Sequence, residues 1–289
     1  MSPVYDCSTE EGRRDGVAKA VEAVRAGEIV VLPTDTVYGV GADAFSAEAV
    51  ASLLAAKGRG REMPPPVLVP SVRTVDGLAT DVPPWARDLI REFWPGPLTL
   101  VFKAQSSLMW DLGETNGTVA LRMPQDDIAL AVLSEVGPMA VTSANLTGQP
   151  AATTATDAAS QLGAAVSVYL DGGPTTSTEV STIIDCTGEE FVVLRAGAVT
   201  EEQLRAALEP KEPEPTESEP TESEPTEPET DPEPEQPVAE TADEPTAVPD
   251  EASDTPETEP TQAIELPADP ATSSTDDTDS TLPGDPHER

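Results

Sequence analysis

Histidine is nearly absent: the only one, His287, stands third from the end of the chain. Chemistry elsewhere must proceed without imidazole. That excludes Ser-His-Asp and Cys-His nucleophilic schemes and His-rich metal sites. Cysteine is almost as scarce, and Cys7 and Cys186 are too few and too far apart for a disulfide framework or a metal knuckle. No apolar run approaches the ~18 residues that would cross a membrane. The N-terminal Met-Ser-Pro-Val-Tyr-Asp has neither the basic nor the apolar region of a signal peptide. These absences lead to the expectation of a reduced, cytoplasmic protein with no membrane partner. Neither G-x-x-x-x-G-K-[ST] nor G-x-G-x-x-G occurs, so P-loop and Rossmann phosphate sites are excluded as well. Lys, Arg, carboxylates, hydroxyls and backbone amides remain to do the chemistry.

Aromatic residues and cations stop before the chain does. All ten Phe, Trp and Tyr lie between Tyr5 and Phe191, and 14 of the 16 Lys and Arg precede residue 209. Asp and Glu divide evenly, 27 to a side, so the formal charge of −38 splits into −13 before residue 209 and −25 after it. Residues 209–289 hold 17 of the 31 prolines and almost nothing larger than Val, apart from Ile264, Leu266 and Leu282. Such a composition buries too little apolar surface to offset the entropy of ordering it. Tandem Pro-Thr-Glu-Ser-Glu blocks starting at Pro215 and Pro220 add the mark of low complexity. Two parts are therefore expected: a folded domain over 1–208 and a disordered Pro/Glu/Thr-rich acidic tail over 209–289. The tail reads as a solubilising extension, with a docking segment for a partner as the alternative.

Within 1–208, periodicity predicts a mixed α/β sheet. Ser8-Thr-Glu-Glu11 is a capping-box pattern ahead of Val17, Ala20, Val21 and Val24 at helical spacing. Ser46 is placed to cap a second helix. Two prolines precede a helix over Trp85–Phe93, and further helices are expected over 126–136, 157–162 and 200–208. Strands are expected at 28–33, 67–69, 98–102, 118–122, 139–141 and 166–170. Residues 182–185 and 191–194 read as a hairpin. Neighbouring strands without a helix between them argue against a doubly wound fold.

Polar clusters recur at the ends of these strands, where open α/β sheets hold ligands. Pro33-Thr-Asp-Thr-Val-Tyr-Gly-Val-Gly41 offers short hydroxyls, a carboxylate and two glycines that admit close backbone approach to a ligand; taken by itself the string reads better as a structural turn. Lys57-Gly-Arg59-Gly-Arg61 gathers three cations in five residues, a hook suited to phosphate oxygens or, on the plainer reading, a helix C-terminal cap. Arg122 ends an otherwise apolar strand and needs an anion inside: a ligand carboxylate, or an internal partner such as Asp35 or Asp185. Thr142-Ser-Ala-Asn-Leu-Thr-Gly148, Ser181-Thr182 and Leu194-Arg-Ala-Gly197 complete the set.

In this order, PTDTVYGVG, KGR, WPGPLTL, TVALRMP, SANLTGQP, STIID and LRAG resemble the YrdC-like family of threonylcarbamoyl-AMP synthases, over essentially all of residues 5–208. The resemblance implies a twisted mixed sheet with flanking helices around a concave basic cavity. It also implies condensation of L-threonine, bicarbonate and ATP into threonylcarbamoyl-adenylate and pyrophosphate, a nucleotidyltransferase reaction. A downstream complex then carries the threonylcarbamoyl group to an adenosine of tRNA. Matched by motif, Thr36, Arg122, Ser143 and Ser181 would hold L-threonine. Lys57, Arg59, Thr118, Asn145, Thr153 and Arg195 would meet ATP. Lys57 and Arg59 would act on the transferring phosphoryl group, with Mg²⁺ arriving alongside ATP and no protein metal site. This chain departs from the family pattern at Gly60, Met63, Leu68 and Ala196, and by one inserted residue in Glu179-Val-Ser-Thr. The resemblance leaves two other readings, an RNA-binding module and a carbamoyl-transfer module. The net charge of −13 and the lack of a basic stripe argue against stable nucleic-acid binding.

Overall fold

The computed structural model describes residues 2–209 except 176 and 178. The expected disordered tail lies outside the described residues, apart from Glu209. Chain order begins with β1 (Val4–Asp6), α1 (Glu10–Arg25), β2 (Val30–Leu32), β3 (Gly39–Asp43), α2 (Ala47–Lys57) and β4 (Val67–Leu68). It continues through α3 (Val75–Leu78), β5 (Ala79–Thr80), α4 (Pro84–Phe93), β6 (Leu98–Ala104), β7 (Thr118–Arg122) and α5 (Asp127–Val136). It ends with β8 (Met139–Ser143), α6 (Ala155–Leu162), β9 (Val168–Asp171), β10 (Thr182–Asp185), β11 (Val192–Arg195) and α7 (Glu201–Leu208).

All eleven strands join one twisted mixed sheet in the order β1-β9-β2-β3-β8-β4-β7-β6-β10-β11, with β5 alongside β6. Four pairs are parallel (β1/β9, β9/β2, β4/β7, β6/β10) and the others antiparallel, in keeping with neighbouring strands that have no helix between them. The predicted hairpin is present, β10 pairing β11 antiparallel. Two local expectations need correction. Thr9, not Ser8, caps α1, accepting from the Gly12 amide, because the first helical residue is Glu10. The Gly39–Gly41 segment is a central strand, and its glycines make room for a neighbouring strand. A Cβ at Gly39 or Gly41 would lie 2.7 or 2.8 Å from the methyls of Val141 on β8.

Side-chain alternation sorts the core into two layers, one on each face of the sheet. Val30 and Leu32 pack with α1 and α5, together with Leu68, Val141 and Leu170. Val31, between them, points to the opposite layer, which is filled by α2, α4, α6 and α7. On β6 and β7, Leu98, Leu100, Phe102, Val119 and Leu121 all face that second layer. Their neighbours Thr99, Val101, Ala120 and Arg122 therefore face the first side, where α1 and α5 cover only the β9-β2-β8 half. Among the described residues no helix covers the other half, whose floor holds the site.

Candidate active site

A cavity of about 330 Å³ opens over that floor. Its walls include Thr34 and Thr36 from the β2–β3 turn, Arg59 beyond α2, Thr142 and Ser143 at the end of β8, and Arg122 at the end of β7. Ser181 and Arg195 close the far side from β10 and β11. Six of the residues singled out from sequence thus converge: Thr36, Arg59, Arg122, Ser143, Ser181 and Arg195. Among the described residues no carboxylate lines the cavity.

Arg122 is 6% exposed. Its Nε donates to the Gly96 carbonyl (2.9 Å), Nη1 to Thr36 Oγ1 (3.1 Å) and Nη2 to Asp35 Oδ1 (2.7 Å). The internal partner foreseen as the alternative is therefore Asp35, whose side chain is 12% exposed. Three of the five guanidinium N–H groups are accounted for in this way. Asp35 Oδ1 also accepts from the Gln125 amide, whereas its Oδ2 is buried without a partner. Burial lowers the pKa of Arg122, and the Asp35 carboxylate opposes that shift.

Arg195 donates from Nε and Nη2 to the Ser181 carbonyl, at 3.1 and 2.6 Å, and from Nη2 to Ser181 Oγ at 2.9 Å. Ser181 Oγ also lies 2.9 Å from the buried Thr99 hydroxyl. Arg59 reaches Thr142 Oγ1 from Nη1 (3.0 Å), and its buried Nε has no partner. Burial lowers the pKa of Arg59. It also lowers that of Arg195, which is depressed further by the charges of Arg122 and Arg59. Three guanidiniums thus share one cavity; among the described residues the carboxylates that act on them are Asp35, already paired with Arg122, and Glu62, whose charge partly opposes the shift at Arg59. Such a concentration of like charge is relieved by an anion.

Lys57 takes a different position from the one expected of a phosphate ligand. It is 3% exposed and lies outside the cavity lining. Its Nζ donates to the carbonyls of Ser143 (2.5 Å) and Asn145 (2.6 Å), with Asn145 Oδ1 at 3.4 Å. Asn145 in turn donates from Nδ2 to the Leu146 and Gln149 carbonyls. Lys57 and Asn145 form a knot that ties the end of α2 to the loop after β8. Burial first, and Arg59 second, bring the Lys57 pKa down to about 8, which leaves the ammonium the majority form at neutral pH.

Two further expected ligands stand apart from the cavity. Thr118 begins β7, at the end opposite Arg122, and donates to the Thr115 carbonyl beside a separate depression with Lys103, Trp110 and Asn116. Thr153 precedes α6, where its hydroxyl is 3.5 Å from Asp157 Oδ2. Sequence reasoning missed Thr99 as a wall residue. Its signal is a lone hydroxyl inside Leu98-Thr-Leu-Val-Phe102. Leu68, one of the departures from the family pattern, supplies an apolar patch of wall. A larger depression of about 830 Å³ lies outside α1, but its cations Arg13, Arg14 and Arg25 pair with Asp127, Asp15 and Glu135.

Comparison with known proteins matches this frame along its length. A Mycobacterium tuberculosis protein, provisionally named a threonylcarbamoyl-AMP synthase, is 53% identical over 208 residues, 72% of this chain and 96% of that one. The Bacillus subtilis threonylcarbamoyl-AMP synthase is 38% identical over 197 residues, 67% of this chain and 57% of that protein. The crystal structure of Pyrococcus abyssi Sua5 complexed with L-threonine superposes with a TM-score of 0.68 at 33% identity, covering 71% of this chain and 61% of that one. This chain thus spans about three fifths of the solved archaeal protein. The family model for Sua5, YciO and YrdC proteins, described as telomere recombination, matches residues 22–197 and so takes in every one of the cavity arginines; the chain belongs to that family.

Proposed function

We propose that the chain is a nucleotidyltransferase that makes L-threonylcarbamoyladenylate from L-threonine, bicarbonate and ATP, releasing pyrophosphate, for threonylcarbamoyl modification of adenosine in tRNA. The observation that carries this reading is the convergence of Arg59, Arg122 and Arg195 with Thr36, Ser143 and Ser181 on one cavity. The names of the relatives and the L-threonine in the Pyrococcus abyssi complex support it.

Arg122 presents two spare N–H groups beside Thr36, a fitting seat for an α-carboxylate. Arg59 and Arg195 flank the remaining volume and suit phosphate oxygens. Threonine's amine adds to carbon dioxide derived from bicarbonate, losing a proton, and the resulting carbamate oxygen attacks the α-phosphorus. A carbamate O–P bond forms as the bond from the α-phosphorus to the departing pyrophosphate breaks. No protein nucleophile is required, and the guanidiniums act by positioning and by stabilising charge on the departing oxygens. We take Mg²⁺ as part of the nucleotide substrate. Among the described residues no group of three or more His, Cys, Asp or Glu could hold a metal, and the cavity lining contains no carboxylate. Lys57 fits this reading as the tie that shapes the loop of Ser143 and Asn145, and Thr118 and Thr153 as contacts of a nucleotide extending past the cavity rim. The product suits a downstream threonylcarbamoyl transferase acting on tRNA. Among the described residues no helix is long and apolar enough to cross a membrane; a cytoplasmic site of action is part of the proposal.

The test is pyrophosphate release from ATP by the purified chain. Release must require both L-threonine and bicarbonate. Release that needs neither, or none with both present, would overturn the reading.

A further inference from the structure

Arg61 is the third cation of the Lys57–Arg61 hook, yet it does not line the cavity. Its side chain turns outward to Asp111 of the β6–β7 loop, Nη2 to Oδ1 at 2.6 Å. Its carbonyl accepts the Glu114 amide from the same loop at 2.8 Å. Asp111 Oδ1 also accepts the Gly113 amide at 3.1 Å, which folds the loop tip against the hook. Gly113 has φ +107°, and a Cβ there would stand 2.6 Å from the Arg61 carbonyl oxygen. Loop and hook meet too closely for any side chain at that position.

The other end of the hook is pinned as well. Lys57 is tied through its ammonium to the Ser143 and Asn145 carbonyls, and its own carbonyl accepts the Thr147 amide at 3.0 Å. Between the two anchors, Gly58 turns the chain in the left-handed conformation and Arg59 enters the cavity wall. A two-glycine hook left to itself samples many directions for the Arg59 guanidinium.

Resting on the synthase reading, we infer that Arg61, Asp111 and Gly113 form a clasp that holds Arg59 at the angle needed for the nucleotide phosphates, and that Arg61 is a positioning residue rather than a ligand. The β6–β7 loop thereby shapes the phosphate end of the site without lining the arginine cavity. The clasp acts on one side of the cavity only, because Arg122 and Ser181 are positioned by Asp35, Gly96, Thr99 and Arg195.

The experiment measures ATP and L-threonine dissociation constants separately, with kcat and KM for pyrophosphate release, in Asp111→Asn and Gly113→Ala. The Arg61–Asp111 pair is half-exposed, so its loss leaves the melting midpoint near wild type while weakening ATP by about 2–5-fold, the range of an exposed pair. Gly113→Ala forces the strands of the clasp apart and weakens ATP by about tenfold or more. Threonine affinity stays at the wild-type value in both. The double exchange Arg61→Asp with Asp111→Arg brings ATP affinity back toward wild type, which a bulk loss of packing would not do. Should Gly113→Ala fail to fold, Asp111→Asn and the exchange still decide. Unchanged ATP affinity in Asp111→Asn, or parallel loss of ATP and threonine with a fallen midpoint, overturns the clasp. Wild-type ATP binding is the control that separates two failures. Its absence overturns the functional reading and this role with it, whereas its presence beside unchanged variants overturns the role alone.

Discussion

Arg122→Lys separates what Arg122 does for the fold from what it does for a ligand. The structure gives it both tasks: a buried pair with Asp35 at 2.7 Å, and a place in the cavity wall beside Thr36. Lysine keeps the charge and sacrifices the planar fork. A single nitrogen cannot serve Asp35 Oδ1, Thr36 Oγ1 and the Gly96 carbonyl from the three directions that the guanidinium now uses. Losing one or two of these bonds, at least one of them to a neutral oxygen, costs about 1–3 kcal/mol of stability. For a domain of this size that lowers the midpoint by roughly 2–12 °C. A carboxylate ligand loses its bidentate partner too, worth another ~1–3 kcal/mol, or about 5- to 150-fold in L-threonine affinity.

Melting curves with and without ligand read both quantities. Saturating L-threonine at about 100 times its Kd raises wild-type stability by ~2.7 kcal/mol. In Arg122→Lys, measured at that same threonine concentration, the increment shrinks to about 0.3–1.8 kcal/mol, while the increment from ATP persists. Asp35→Asn is the matched control. It breaks the ion pair and costs up to ~3–5 kcal/mol of stability, but leaves the guanidinium in the wall, so threonine still raises the midpoint. An Arg122→Lys protein with a lower midpoint and the full threonine increment would refute the carboxylate seat and leave Arg122 a structural residue.

Three more expectations follow from the geometry. A Cβ at Gly197 would stand 2.3 Å from the Val180 carbonyl and 2.7 Å from the backbone of Ser181 and Thr182, so Gly197→Ala should push the Ser181 wall out of place; titration calorimetry should record threonine affinity down by tenfold or more, an order-of-magnitude figure for a displaced hydrogen-bonding wall. The Lys57 pKa of about 8 lies below its ordinary 10.5, so between those values the unfolded chain holds a proton that the folded chain has released. Stability contributed by this group therefore rises with pH across that window, by at most about 3 kcal/mol, and urea melts from about pH 7.5 to about 10.5 should show a shallower rise in Lys57→Met. Deleting residues 210–289 removes none of the described core, so the midpoint and specific activity of the shortened chain should match the full one; a cooperative loss of folding would displace the boundary drawn at residue 208.

Much of the frame was legible in the sequence because the period of the apolar residues reports directly on faces. Helix α2 was readable from Ser46, Val50, Leu53 and Leu54, and the β10–β11 hairpin from its two apolar runs around Cys186-Thr-Gly. Strand β3 was not, because Gly39 and Gly41 look like turn residues. Only the facing Val141 explains why two glycines occupy a central strand. The site divides in the same way. Arg122 was conspicuous as one cation in an apolar strand, and Arg59 and Arg195 as cations beside glycine. Sequence spacing could not say that Lys57 turns inward to two carbonyls while Arg59, two residues on, faces the cavity. That choice belongs to the left-handed turn at Gly58 and to acceptors more than eighty residues away. Nor could it say that Arg61 turns outward, since Asp111 comes to it only through tertiary packing.

Net charge gives a poor account of this site, and the reason is geometric. Residues 1–208 carry −13, which taken alone suggests a surface that repels nucleotides. The acidic groups that balance cations in the structure lie largely on the outside: Asp127, Glu22, Glu135, Asp76 and Glu201 all pair with cations at exposed positions. Water and salt screen such charges within about 8–10 Å. The cavity is governed by its nearest groups instead, where the effective dielectric constant is lower and each charge counts for several times more. There, among the described residues, the tally is Arg59, Arg122 and Arg195 against Asp35 and, from outside the wall, Glu62, with Lys57 just behind the wall. An anion approaching from solvent meets a repulsive surface and then an attractive pocket. Selection on such a molecule rests on short-range contacts, which favours a small, tightly held polyanion over an extended one that must lie along the acidic exterior. On the proposed synthase reading that polyanion is the nucleoside triphosphate, and an acidic surface around a basic cavity serves its selection over an extended nucleic acid.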